Sequence, residues 1–405
     1  MRPLLPLAAA LVALGALALP PTDAALADPG YDAALLRWRG ADGLFDNWEK
    51  VGTLRTAEGF LSLDPASAQA TADHAGAYEG RNFYNGGPYV VGEATSPLTN
   101  VGFGFSRLVP SWNADTPPGT WIEVLARVQR AGRLTAYYNL GVWAADDSTV
   151  ARHSVKGQRD GDGTVAVDTL VLAGDQPPAD AVQVKVRLFS ARPAEAVPTV
   201  RLVYAAVSTP AARPAASPPG DPSRWNKVIE VPGCSQQAYD DGGEVWCSPT
   251  STSMVLGYWA KDTGPCEPRV RAAVAGVYDW VFDGHGNWPF NTAYAATQGL
   301  ESYVTRLTSL AQAEEWIAAG IPLVLSYSWT DGALGNAPVP SSEGHLGVLV
   351  GFDAAGDPVM NDPASPTDGQ VRRTYNRAQF EALWLEHSGG TAYVMHPTGH
   401  APPLG

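Results

Sequence analysis

Basic residues are scarce in this chain: 27 lysines and arginines stand against 41 aspartates and glutamates over 405 residues, a formal net charge of −14. A surface that tracks a phosphate backbone needs a basic stripe, and none occurs, which excludes nucleic acid as a partner. The same excess of acid disfavours an anionic polymer as substrate and favours solubility. Long apolar runs are absent after residue 27, so no later segment reads as crossing a bilayer. Cysteine is rare, and Cys234, Cys247 and Cys266 are an odd number, so one thiol at least stays unpaired. Helical periodicity, finally, is scarce over the first 207 residues.

What is present begins with an export signature. Arg2 precedes a Leu/Ala/Val-rich run to Leu19, too short for a stable span, and Ala25-Leu26-Ala27 is a small-residue cleavage site that leaves Asp28 as the new terminus. Residues 1–27 are therefore expected to be a signal peptide and the mature protein to be secreted, with no stable membrane anchor. In an oxidising compartment two of the three cysteines are expected to pair. The pairing preferred is Cys234 with Cys266, because Cys247 has the setting of a nucleophile and would be useless if bridged.

At this length two cores are expected. Residues 208–223, dense in Pro, Ala and Ser, read as a linker. They separate a first domain, 28–207, from a second, 224–400. In the first, the runs Thr120–Val128, Arg133–Trp143, Thr164–Leu172, Ala181–Phe189 and Val200–Ala206 are strand-like, with strict alternation in Val182 to Leu188. Short strands between Gly/Asp/Pro turns predict an all-β sandwich of jelly-roll type. Trp112, Trp121, Trp143, Tyr137 and Tyr138 are assigned to core packing before a binding face. Asp160-Gly161-Asp162-Gly163 reads as a tight turn before a calcium loop.

The second domain changes period. A helix is expected from Cys247 to about Lys261, with Pro249 in its first turn, and another from Pro268 to Val281. Ser309 with Gln312 forms a capping box for a short helix ending at Gly320. Ile321–Ser326 and Leu346–Phe352 are almost wholly apolar, as strands covered on both faces are. Helices followed by an antiparallel sheet make an α+β domain.

A thiolate nucleophile needs a device that favours negative charge, and a helix N-terminus is one. Cys247 opens the predicted helix. Its backbone N–H groups can also hold an oxyanion, with a side-chain amide completing the hole; Gln236 is the expected donor ahead of Gln237. The general base must be a distant histidine. His345, opening an apolar strand, is preferred over His285 in its glycine-rich loop. Asp362, at the end of the strand returning from His345, is expected to orient the imidazole, and Asn361 to point the other way.

Val231-Pro232-Gly233-Cys234-Ser235-Gln236, Cys247-Ser248-Pro249-Thr250-Ser251-Thr252-Ser253-Met254-Val255-Leu256, Gly344-His345 and Asn361-Asp362-Pro363 occur in that order. Together they resemble the secreted relatives of the bacteriocin-leader-processing cysteine peptidases, in the papain-like superfamily. The resemblance spans Lys227 to about Pro397. It implies a papain-like fold, Gln236 as oxyanion donor, Cys247 as nucleophile, His345 as base, Asp362 as orienter, and neither metal nor organic cofactor. One departure is Ser248, where the family usually has Gly, and a side chain at that turn is expected to narrow substrate approach. The implied activity is hydrolysis of a peptide or isopeptide bond in a peptide or protein substrate. Two rivals share the scaffold: a cell-wall peptidoglycan amidase, and a catalytically silent binding protein. Trp329–Gly344 is expected to border the cleft as a lid.

Overall fold

The computed structural model describes residues 31–210 and 218–403. The expected signal peptide and the middle of the Pro/Ala/Ser stretch lie outside these residues.

The first half is built from two antiparallel sheets. One runs in the order Gly163–Ala166, Thr169–Leu172, Arg107–Asp115, Thr199–Ser208, Leu61–Leu63, Thr53–Arg55, with Ala33–Arg39 also paired to Thr199–Ser208. The other centres on Thr120–Arg130, Ala179–Ser190 and Pro88–Thr95. Alternation drives the packing: Val182, Val184, Val186 and Leu188 turn into the core, while Gln183, Lys185 and Arg187 point outward. Trp112, Trp121 and Trp143 are fully buried and Tyr138 nearly so. Tyr137 differs, lying half-buried under Arg127 and Lys185, 4.6 and 5.1 Å from its ring centre. Asp160 organises a turn, its carboxylate accepting from the Asp162 and Gly163 N–H groups.

Two of the expected strands are interrupted. Thr164–Leu172 is a hairpin that reverses around Val167, which has φ +59°. Arg133–Trp143 breaks between Leu134 and Tyr138.

The second half is an antiparallel sheet covered on both faces. Its order is Leu300–Arg306, Thr391–Pro397, Leu323–Trp329, Ser342–Phe352, Pro358–Asn361, Arg372–Thr374. Five helices accompany it: α1 Cys247–Ala260, α2 Cys266–Val277, α3 Trp288–Thr297, α4 Leu310–Ala318 and α5 Arg377–Ser388. Side chains alternate between the two covers. Val324, Val348 and Val350 join the cluster with Met254 and Val255 of α1, and Leu323, Leu325 and Leu349 join the one with Trp316 of α4 and Trp384 of α5. α1 ends at Lys261 in the left-handed conformation, ahead of Gly264-Pro265. α2 begins two residues before Pro268 and stops at Val277, leaving Val281 buried in the following turn. Ser309 caps α4 by accepting from Gln312 N–H, while the Gln312 side chain reaches Thr308 N–H.

The two halves are not separate bodies. α3 lies against the strand Arg107–Asp115, and its Phe290 packs edge-on to Trp112 and tilted against Trp143, with centroids 6.2 and 5.4 Å away. Phe290, Ala293 and Val277 therefore belong to the sandwich core. Conversely, Leu202 and Tyr204 of the sandwich join the core beneath α4 and α5. Asn113 seals the seam by exchanging hydrogen bonds with the backbone of Ser302, 2.6 and 3.1 Å.

Candidate active site

α1 is an unusual helix. Ser, Thr and Pro fill its first half, residues of middling or poor helix propensity, and nearly all of it is buried. Tertiary contacts hold it instead. The Ser251 hydroxyl donates to the carbonyl of Leu346, 2.9 Å, and Thr252 donates to Asn291 of α3, 3.1 Å. The first of these fixes the start of α1 beside His345, the residue before Leu346. No side chain caps the helix, whose N-cap is Trp246. Pro249 lacks an N–H, so Cys247 and Ser248 carry the first-turn donors that no helical carbonyl satisfies.

Cys247 is a free, half-buried cysteine. Cys234 and Cys266 are joined as a disulfide that ties the segment before Gln236 to the start of α2. Ser248 does not enter the cleft. Its hydroxyl is fully buried and lies 3.0 Å from the hydroxyl of Tyr393 in the sheet, so the expected narrowing of substrate approach does not arise.

His345 lies in the strand Ser342–Phe352, opposite Tyr327, with its ring edge-on to Tyr327 and Trp329. Its Nε2 is 2.8 Å from Asp362 Oδ1. Cys247 lies close enough to this ring to act on its charge. Asp362 is wholly buried, and its carboxylate is saturated: Oδ1 also accepts from Ala364 N–H at 2.9 Å, and Oδ2 from the hydroxyls of Tyr327 and Tyr375 at 2.8 and 2.6 Å. Burial alone would raise the Asp362 acid, but the field of His345 and these donors hold it at about 2. Burial alone would lower His345, yet Asp362, and then Cys247, push it to about 10. The pair is thus an imidazolium–carboxylate pair at neutral pH. Burial pushes both tyrosine hydroxyls upward, so they remain protonated donors.

Gln236 is buried in a short 3-10 turn. Its backbone N–H donates to Pro363 O at 2.8 Å, which anchors it to the loop carrying Asp362. One Nε2 hydrogen goes to Gly243 O, 2.8 Å, leaving a second. The chain leading to Cys247 presses on this turn: a Cβ on Gly243 would sit 2.0 Å from the Gln236 carbonyl oxygen. Asn361 points away from Asp362, bonding Val231 O and Arg372.

His285 packs on Trp246 and Tyr278, apart from the Asp362 cluster. In the stretch Trp329–Gly344, Trp329 bonds Val339 O, and Asn336 bonds Thr374 O and Arg373. Tyr327, Tyr375 and Ser251 were not anticipated from sequence. Ser326 and Ser328 flank Tyr327 in the strand Leu323–Trp329, so its hydroxyl does not stand out in the sequence.

A cysteine at an uncapped helix start, a histidine on a strand and a buried carboxylate compose a Cys–His–Asp constellation. The comparisons agree with that class. Residues 34–208 match the family model described as the peptidase C39 N-terminal domain, and residues 228–392 match that of the Peptidase_C39-like family. The chain is related to the C39, bacteriocin-processing cysteine peptidases. No curated protein matches. One solved structure, titled for the promiscuous specificity of carbohydrate-binding modules from the β-sandwich superfamily, aligns at 11% identity and TM-score 0.14. That alignment takes in 44% of this chain and about half, 54%, of the other. Among the described residues no helix is long and apolar enough to cross a membrane.

Proposed function

We propose that this chain is an exported cysteine hydrolase whose second half, residues 224–400, has a papain-like fold and cleaves peptide or isopeptide bonds through an acyl-enzyme. In this reading residues 28–207 form an accessory sandwich joined by 208–223, and residues 1–27 direct export. One observation carries the chemistry. A saturated, buried Asp362 grips His345 Nε2, while Cys247, at an uncapped helix start, lies close enough to act on the same ring.

The steps follow from those positions. The reactive form of cysteine is the thiolate, and an imidazolium is its natural counter-ion. Cys247 Sγ attacks the carbonyl carbon, and the oxyanion is received by the N–H groups at the start of α1 and the spare Gln236 amide hydrogen. His345 gives its proton to the leaving amine as the C–N bond breaks, leaving a thioester. Water then attacks the thioester as His345 takes its proton, releasing the acid and restoring Cys247. Asp362 keeps the ring in one orientation throughout. The inward turn of Ser248 removes the one sequence feature that favoured a silent binding protein.

The test has two parts. Peptide libraries, protein substrates and peptidoglycan stem peptides are offered to the protein and to Cys247→Ala, and cleavage that the variant lowers by at least ~10³-fold is expected. Iodoacetamide modification of Cys247 across pH, with His345→Ala beside it, is expected to depend on His345. The reading fails if nothing is cleaved and alkylation ignores His345.

A further inference from the structure

A cavity of about 270 Å³ opens at the seam between the two halves. Arg107 and Asp168 line it from the sandwich; Gly286, Trp288, Arg306 and His387 line it from the second half. Its walls flank the Cys247 centre on two sides. His387 lies against Gly344, the residue before His345, since a Cβ there would be 3.8 Å from the His387 ring. On the other side, Gly286 and Trp288 follow His285, whose ring packs on Trp246, the residue before Cys247. Trp288 and Cys247 pack on the same hydrophobic cluster.

The polar groups of the cavity are unequally satisfied. Both Asp168 oxygens are engaged, Oδ2 by Trp288 N–H at 2.6 Å and Oδ1 by the Thr169 hydroxyl at 2.9 Å. Arg306 is only 6% exposed, and its guanidinium bonds the Ser208 hydroxyl at 3.1 Å. Arg107 and Asp168 are both close enough to act on it, Arg107 as a like charge and Asp168 as an opposite one. Among the described residues neither arginine forms an ion pair. Two guanidinium groups without an ion-pair partner in one cavity favour an anion close to them.

We propose that this cavity is a substrate subsite of the Cys247 centre, that it takes a carboxylate of the substrate, and that Arg107 makes the sandwich half a determinant of specificity. The proposal rests on Cys247 being the nucleophile. A single carboxylate held locally is compatible with the overall acidity that disfavours an anionic polymer, because close charges outweigh distant screened ones. The carboxylate is that of an acidic side chain or of a chain terminus.

Bromoacetylated tripeptides test it. Each carries one Glu or its Gln isostere at a varied position, with the C-terminus free or amidated, and the rate of Cys247 labelling is read by intact mass. The full chain is expected to favour a carboxylate-bearing reagent over its neutral isostere by roughly ten-fold in at least one position. Selectivity in the Glu arm identifies a side chain as the source, and selectivity in the free-terminus arm a chain end. Arg107→Gln is expected to bring the ratio to near one, and Arg107→Lys, which keeps the charge, to retain most of it. Using a ratio within each variant separates recognition from any general loss of reactivity. Equal labelling by charged and neutral reagents at every position, or a ratio that Arg107→Gln leaves unchanged, overturns the proposal. If that happens while iodoacetamide modification still depends on His345, the subsite alone falls; if His345 has no influence, the nucleophile reading falls with it.

Discussion

Replacing Asp362 by Asn removes one negative charge and almost no volume, and its consequence for His345 can be worked from the surroundings. In the intact protein the ring sits at about 10, against an ordinary histidine value of 6.5. A displacement of that size is worth on the order of 5 kcal/mol of preference for the imidazolium. Burial is the largest single influence on His345 and acts downward, so with a neutral partner the ring is expected to titrate at least about 2 units lower. The chain has seven histidines, so imidazole NMR over pH 4 to 11 resolves the titration, with His345→Ala assigning the resonance. Stability provides an independent reading. The raised His345 contributes fully below its unfolded value near 6.5, and that contribution drains away as pH climbs to about 10. The depressed Asp362 contributes fully above its unfolded value near 3.8 and loses its contribution as pH falls to about 2. The difference in thermal midpoint between the two proteins is therefore expected to be widest between pH 4 and 6.5 and narrowest near pH 10. A His345 midpoint that moves by less than one unit on substitution refutes the argument.

Two further outcomes are expected. Cys234→Ser with Cys266→Ser opens a loop closed across a sequence separation of 32, and is expected to cost about 3–4 kcal/mol in denaturant unfolding. Phe290→Ala, which empties the space between Trp112 and Trp143, is expected to cost about 3–5 kcal/mol, measured the same way, and to lower the thermal midpoint monitored from either half.

The parts of this architecture that sequence reveals are those in which one periodicity meets one environment. The strand Ala179–Ser190 has one face in the core and one toward solvent, so its alternation is visible, and α1 is marked by Pro249 and the apolar residues that follow. The order Cys247, His345, Asp362 was legible because Cys247 and Asp362 stand at element boundaries and His345 precedes an apolar run, although its strand begins three residues earlier, at Ser342. α3 left no trace because it is enclosed between sandwich and sheet: Pro289, Phe290, Asn291, Thr292, Ala293, Ala295 and Ala296 are all buried, so no polar face sets a period. α5 does carry a stripe, Phe380, Trp384 and Leu385, at helical spacing. The hairpin at Val167 was hidden for another reason. A β-branched residue at positive φ breaks the preference that sequence reasoning relies on. The hydroxyls that saturate Asp362 come from Tyr327 and Tyr375, 35 and 13 residues away, and no local pattern links them to it.

Because α3 contributes side chains to the core of the other half, the chain's covalent continuity is not what joins its two parts. A cut between Pro210 and Pro218 would yield not two domains but a non-covalent complex, each fragment carrying apolar surface that only the other can cover. The same interlock restricts how such a protein can change by descent. A recombination crossover at the Pro/Ala/Ser stretch, where the composition looks most permissive, would part Phe290 from Trp112 and Trp143.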